Sequence, residues 1–241
     1  GSEAAGARAA IEVKKRGLSL TVVTKGYLAK SGATITADGD VDLDSKSAIE
    51  RLGLTGDPRD NPDVFFEDMV KESKFISDQR LVEIQTREAP DRLEDLVRFG
   101  VKIPFIIHAP GHTYPRGAWI PGIPFARALG NELRKYDIRV MEHVMATRLL
   151  TRNGAVVGAT GLKLDTGEFY VFRAKAVIMC TGGALRIYPH TTAPEDLTGD
   201  GQAMAYLAGA QMIDMEFPMF LPYTLIDPPA MDGIDYPFIM M

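Results

Sequence analysis

The stretch Ala174-Lys175-Ala176-Val177-Ile178-Met179-Cys180-Thr181-Gly182-Gly183 decides the fold. Ala176–Cys180 is a short, continuous apolar run, the pattern of a strand buried on both faces of a parallel sheet. It runs into Thr181-Gly182-Gly183, where glycines let backbone approach a flat ligand closely. On the C-terminal side, Leu197–Ala208 predicts a helix opened by Thr198-Gly199-Asp200-Gly201, with Asp200 suited to an N-cap. Gln211–Met215 predicts a further strand. On the N-terminal side, Ala146–Thr151, Ala155–Leu164 and Glu168–Arg173 alternate apolar and polar residues. Asn153-Gly154 and Asp165-Thr166-Gly167 sit at the turns between them, so an antiparallel three-stranded meander is expected.

The chain opens on a second glycine turn, Gly1-Ser2-Glu3-Ala4-Ala5-Gly6, followed by a helical run over Ala4–Arg16 and a β-branched strand over Leu18–Thr24. A dinucleotide fingerprint, G-x-G-x-x-G, places amides at a helix N-terminus around a pyrophosphate. Here Glu3 stands at the middle glycine. A carboxylate aimed at a phosphate would be repelled by roughly 4 kcal/mol at about 4 Å and an effective dielectric near 20. Glu3 must therefore turn away from phosphate or toward a sugar hydroxyl. A glycine-containing helix start would look the same, so this turn identifies nothing alone. A strand normally precedes such a turn and is expected upstream of Gly1, unless Gly1-Ser2 is a cloning scar.

Between these ends the sequence predicts a long ordered excursion. Residues 25–60 read as loop, Asn61–Gly100 as three helices with Pro90 separating Gln79–Glu88 from Asp91–Phe99, and 110–124 as proline-rich loop. Phe125–Tyr136 is expected to be helical and Ile138–Glu142 a strand. After Phe217 prolines become frequent, which divides the chain into an expected domain over 1–217 and the start of another over 218–241.

Composition narrows the chemistry. The 241 residues are 46% hydrophobic with a net charge of −5, which disfavours a nucleic-acid partner. Cys180 is the sole cysteine, so no disulfide, iron–sulfur or zinc framework can be built from this chain's cysteines. No apolar run reaches the ~18 residues of a membrane span. His108 and His112 flank Pro110 and do not share a helix face, which argues against a metal pair. His143 and His190 read as structural or exposed, and Trp119 as packing.

The order of the turns is more informative than any one of them. Ser31-Gly32-Ala33-Thr34, Asp78-Gln79-Arg80-Leu81-Val82, Gly111-His112-Thr113-Tyr114-Pro115-Arg116, the run Ala174–Gly183, Thr198-Gly199-Asp200-Gly201 and Asp214-Met215-Glu216-Phe217 together resemble one family. It comprises the flavoprotein subunits of fumarate reductase and succinate dehydrogenase, with L-aspartate oxidase. The resemblance extends over essentially the whole chain and implies an α/β fold. That fold is a Rossmann-like FAD-binding domain with a parallel sheet, crossed by the meander, with a capping domain beginning at the C-terminus.

The same resemblance implies the site. Gly1, Ser2, Ala4 and Gly6 would hold the FAD pyrophosphate, and Thr24 and Lys25 the adenosine ribose. Lys30, Ser31, Gly32, Ala33 and Thr34 would pass along the pyrophosphate and flavin. Val144 would meet the adenine through its backbone, and Thr181, Gly182 and Asp200 would complete the site. His112, Arg116 and Tyr223 are the substrate candidates. The family's proton-donating arginine falls farther along than Met241, so the catalytic residue is expected beyond Met241. In the respiratory branch a histidine at position 32 bonds covalently to flavin; Gly32 implies non-covalent FAD, as in L-aspartate oxidase. Leu221 stands where the family carries a histidine that contacts a substrate carboxylate, so the usual dicarboxylate is in question.

The resemblance implies an oxidoreductase that exchanges hydride between a small organic acid and flavin N5. Electrons would pass to or from an iron–sulfur partner, in a cytoplasmic protein that meets membranes only through partner subunits. An L-aspartate oxidase-like enzyme, an adenylylsulfate reductase-like enzyme and a non-catalytic FAD relay protein stay open as alternatives. Thr198-Gly199-Asp200-Gly201 speaks against the second and Leu221 for the third.

Overall fold

The computed structural model describes residues 1–220 and 224–234. The first half of the chain runs α1 (Ala4–Lys15), β1 (Thr21–Val23), α2 (Ala33–Thr36), β2 (Asp38–Asp42), α3 (Ser45–Leu52), α4 (Pro62–Glu72) and α5 (Gln79–Arg98). It continues with β3 (Ile106–Ile107), β4 (Gly117–Pro121), α6 (Gly122–Arg134), β5 (Arg139–Met141), β6 (Val144–Arg152), β7 (Ala155–Lys163), β8 (Phe169–Arg173) and α7 (Asp200–Leu207). These elements form two compact units, one of 1–36 with 132–241 and one of 37–131.

In the first unit β1 and β5 pair in parallel, with Val22 opposite Val140. The pair continues past its ends: the Thr24 amide donates to Met141 and the Val144 amide to Thr24. α1 buries Ala7, Ala10 and Ile11, the small stripe that lets a helix lie close to its neighbours. β6, β7 and β8 form the expected antiparallel meander, turning at Asn153 and Gly154, both with positive φ. α7 packs on it through Met204, against Leu149 and Ala159. The fold is thus α/β with a parallel pair and a three-stranded meander, as the sequence implies.

Two expected strands are not formed. Ala176–Cys180 and Gln211–Met215 are irregular, and Ile178 is 62% and Ile213 75% exposed. An apolar run becomes a strand only where a neighbouring backbone offers hydrogen bonds, and these segments pair with none among the described residues.

The second unit shows more order than its sequence suggests. Residues 38–42, expected as loop, form β2 beside β4, and β4 itself lies inside the proline-rich stretch. α3 starts at Asp44, whose carboxylate accepts from the Ser47 amide at 2.9 Å, and ends on Gly53 at φ +66°. α4 starts on Asn61 with Pro62 at its first position. α5 runs unbroken through Pro90, where the sequence predicts two helices. A proline in a helix interior costs roughly 3 kcal/mol relative to alanine, but Val82, Thr86, Ala89, Leu93 and Leu96 are all buried along the same helix. Burial of that stripe outweighs the missing N–H bond.

Arg116 sits at the centre of this unit. Its side chain is fully buried; Nε and Nη2 donate to Asp60 at 2.9 and 2.7 Å, and Nη1 donates to Asp68 at 2.6 Å. Asp68 also accepts from the Thr113 amide and hydroxyl. Burial alone would raise its carboxyl, yet these bonds and Arg116 hold it below the usual range.

Asp42 behaves oppositely. Burial and the neighbouring Asp40 hold its carboxyl above the usual value, while His112 and Arg116 oppose them. A raised carboxyl binds its proton more tightly in the folded state, so its contribution is full below the ordinary carboxylate range and is lost as pH rises through the raised value. Asp42→Asn should therefore gain on the wild type progressively as pH rises above the ordinary carboxylate value of about 4, read as a widening gap in denaturation midpoint. A constant gap would show that Asp42 does not titrate in that window.

Candidate functional site

Three glycine turns of the first unit carry the site residues, joined by hydrogen bonds and by close backbone packing. The first turn leads into α1. Its first-turn amides lack acceptors within the helix, and no acidic residue lies in that turn. Ser2 is buried and donates through its hydroxyl to Thr24 Oγ1 at 3.2 Å, joining the turn to the end of β1. Gly1 and Gly6 are there for close approach: a Cβ on Gly6 would overlap the Gly1 carbonyl oxygen, and one on Gly1 the Cys180 carbonyl oxygen. That last contact brings the opening turn against Cys180-Thr181-Gly182, far apart in sequence.

The Lys30–Thr34 segment closes over the same turn. The Ala4 amide donates to Thr34 Oγ1 at 3.0 Å, and the Thr34 amide donates to Glu3 Oε2 at 2.6 Å. Glu3 is thus turned to this segment, not left pointing along α1. Burial raises its carboxyl first of all; the Thr34 bonds lower it and Asp196 raises it further. Ser31 Oγ accepts from the Tyr27 amide and donates to the Tyr27 carbonyl, closing its own loop. Lys30 and Ala33 are exposed and Gly32 is buried at φ +80°.

The third turn is reached by Lys25. Its Nζ donates to Asp200 Oδ2 at 2.9 Å, Thr198 Oγ1 at 2.6 Å and the Asp196 carbonyl at 3.3 Å. Asp200 is the first residue of α7, and Gly199, with no side chain to cap, takes the N-cap position expected of Asp200. The Asp200 carboxylate is left to the cation and to Thr198. Thr181 packs on the start of α7, because a Cβ on Gly201 would overlap its hydroxyl.

Two further residues escape a reading of motifs. Gln202 Nε2 donates to the Gly182 carbonyl at 3.1 Å, while its Oε1 is buried with no partner. Glu142 accepts from the Leu28 amide at 2.9 Å and so orients the chain entering the Lys30–Thr34 segment. Val144, expected to meet a ligand through its backbone, has its amide committed to Thr24.

The residues present suit a dinucleotide of the FAD type. Glycines allow close approach at the turns, the Glu3 carboxylate is held by the Thr34 amide and not left along α1, and the buried Gln202 Oε1 has no partner among the described residues. Of the substrate candidates, Arg116 is engaged as described above. His112 lies 12% exposed, 4.0 Å from Asp42 and against the Phe65 ring, with Nδ1 buried and unpartnered. Tyr223 and Leu221 fall outside the described residues, as does Met241, beyond which the catalytic residue is expected.

The family described as FAD binding domain matches residues 1–234. A subunit of the CoM/CoB fumarate reductase of Methanothermobacter marburgensis is 38% identical, covering 97% of this chain and 43% of that protein. The fumarate reductase flavoprotein subunit of Mycobacterium tuberculosis is 33% identical, over 93% and 39%. Among solved structures, the Mycobacterium smegmatis Sdh1 complex in the apo form superposes with a TM-score of 0.89 at 31% identity, over 98% of this chain and 42% of that one. The chain therefore spans about two fifths of the length of these relatives.

Proposed function

This chain belongs to the FAD-binding domain family, and from that premise we propose that it is the cofactor-holding part of a fumarate reductase/succinate dehydrogenase-type oxidoreductase. The observation that carries the reading is the assembly of turns at Gly1–Gly6, Lys30–Thr34 and Thr181–Gly182 through hydrogen bonds and close backbone packing, with Lys25 bridging to Asp200. When bound, FAD supplies the redox chemistry, exchanging hydrogen with a carbon–carbon or carbon–nitrogen bond of a small organic acid.

The chain's own residues bind and orient. Gly1, Ser2, Ala4 and Gly6 present backbone to the pyrophosphate, and Thr24 and Lys25 stand at the ribose. Lys30, Ser31, Gly32, Ala33 and Thr34 line the path toward the flavin, with Val144, Thr181, Gly182 and Asp200 closing it. His112 and Tyr223 are the proposed substrate contacts. Arg116, proposed for the same role, would serve it by holding the loop that carries His112. The proton donor to substrate would come from beyond Met241. Electrons would pass to or from an iron–sulfur partner, and any membrane attachment would come through partner subunits. No helix among the described residues is long and apolar enough to cross a membrane.

Gly32 has no side chain to bond flavin, so the FAD is proposed to be non-covalent. Acid precipitation should leave a colourless pellet and all flavin in the supernatant; a yellow pellet would sink this. Leu221 supports a second reading, a relay that binds FAD without a dicarboxylate substrate. Turnover of fumarate, succinate and aspartate with artificial electron carriers separates the two. Activity on any of them supports the enzyme, and reducible flavin with no turnover supports the relay.

A further inference from the structure

We propose that Glu3 is a cofactor-positioning residue, a latch that fastens the Lys30–Thr34 segment over the start of α1 and reserves position 32 for glycine. The inference rests on the FAD-binding reading above and adds a role for a residue that interrupts the expected glycine pattern.

The geometry is reciprocal. Glu3 Oε2 accepts from the Thr34 amide at 2.6 Å, and the Thr34 hydroxyl accepts from the Ala4 amide at 3.0 Å. Two adjacent residues of the turn are thus bonded to one residue of the segment, which restrains Thr34 against α1 at two points. A carboxylate bond to an amide is charge-assisted and stronger than a neutral one. Glu3 is the N-cap of α1 but makes no side-chain capping bond, so its carboxylate is available for this work.

Gly32 lies under the latch. It is buried at φ +80°, and a Cβ there would overlap both Oε1 and Cδ of Glu3. A side chain at 32 and a carboxylate at 3 therefore compete for one volume. A larger side chain at 32 would fit only if the Glu3 carboxylate gave up its Thr34 bond, so the identity of residue 3 bears on what position 32 can carry. Asp196 is the neighbouring carboxylate that bears on Glu3. Burial and Asp196 both disfavour its ionised form and hold its carboxyl above the usual value, and the Thr34 amide opposes them only in part.

The test is FAD affinity of the full chain, read by flavin fluorescence. Glu3→Gln keeps an acceptor of the same size and should bind within about threefold of wild type. Glu3→Ala removes the acceptor, and one lost bond to a charged group corresponds to roughly tenfold or more. Gly32→Ala should weaken binding at least tenfold more when Glu3 is present than in the Glu3→Ala background, a coupling within the range for side chains in contact, roughly 2- to 150-fold. Additive effects, or Glu3→Ala binding like wild type, would overturn the latch. If Gly32→Ala does not fold, hydrogen exchange of the Thr34 amide in wild type and Glu3→Ala decides. Faster exchange in the variant supports the latch, and equal exchange overturns it. Wild-type protein that binds no FAD at all would instead refute the reading on which the proposal stands.

Discussion

Arg116→Leu is expected to lower folding stability by about 3–5 kcal/mol, the range for removing one partner of a buried ion pair. Arg116 and Asp60 are both fully buried, and the guanidinium meets Asp60 through two nitrogens and Asp68 through the third. Its face also lies 4.8 Å from the centre of the Phe65 ring. Asp60 in addition accepts from the Ser45 amide at 2.7 Å, so the same carboxylate anchors the start of α3. With leucine at 116, Asp60 keeps that amide but loses its countercharge, where water cannot replace it. Arg116→Lys retains the charge without the planar fork and should fall between the two. Denaturant unfolding of the full chain measures this. A loss under about 1 kcal/mol, the scale of an exposed pair, would show that the cluster does not hold the unit together.

Gly6→Ala is expected to weaken FAD binding about a hundredfold, equivalent to roughly 2.7 kcal/mol. The added Cβ meets the Gly1 carbonyl oxygen, a backbone atom that cannot swing aside as a side chain would, and it also approaches Cys180 Cβ at 3.5 Å. The start of α1 must shift, taking with it Ala4 and Gly6, two of the residues proposed to meet the pyrophosphate. Helix propensity favours alanine over glycine by roughly 1 kcal/mol, so the variant should fold while binding poorly. Equilibrium dialysis with FAD gives the ratio directly. Wild-type affinity in Gly6→Ala would remove the first turn from the site.

Local signals are legible along the chain itself. α1 ends one residue short of the expected Arg16, α4 begins at Asn61-Pro62 as its cap chemistry indicates, and the meander turns at Asn153-Gly154. The glycine turns, taken together with the motifs at 31–34, 78–82, 111–116 and 214–217, are enough to indicate the family. Where structure and sequence pattern part, the deciding partner is remote. β2 and β4 lie in stretches rich in Gly, Asp and Pro that carry little strand signal, and each forms because the other is there. Pro90 reads as a break because propensity is local, while the burial that overrides it comes from α5 packing on Leu43, Ala48 and Ala118. Ala176–Cys180 departs in the other direction, an apolar run with no paired strand among the described residues.

The site divides along the same line. By itself the sequence determined which residues could approach a phosphate or a ring: glycines, small hydroxyls and Lys25, ordered along the chain in a family pattern. It also placed a carboxylate at residue 3, where a glycine was expected. Only the tertiary structure decided what these groups do to one another. Lys25 meets Asp200 across 175 residues, and Glu3 meets Thr34 across 31. Arg116, which resembles a substrate residue in its motif, is buried between two aspartates. The reason is physical. Caps, turns and periodicity act within a few residues and are written where they act. The energy of a buried charge or a shared volume depends on what the folded chain brings against it, and no spacing along the sequence records that.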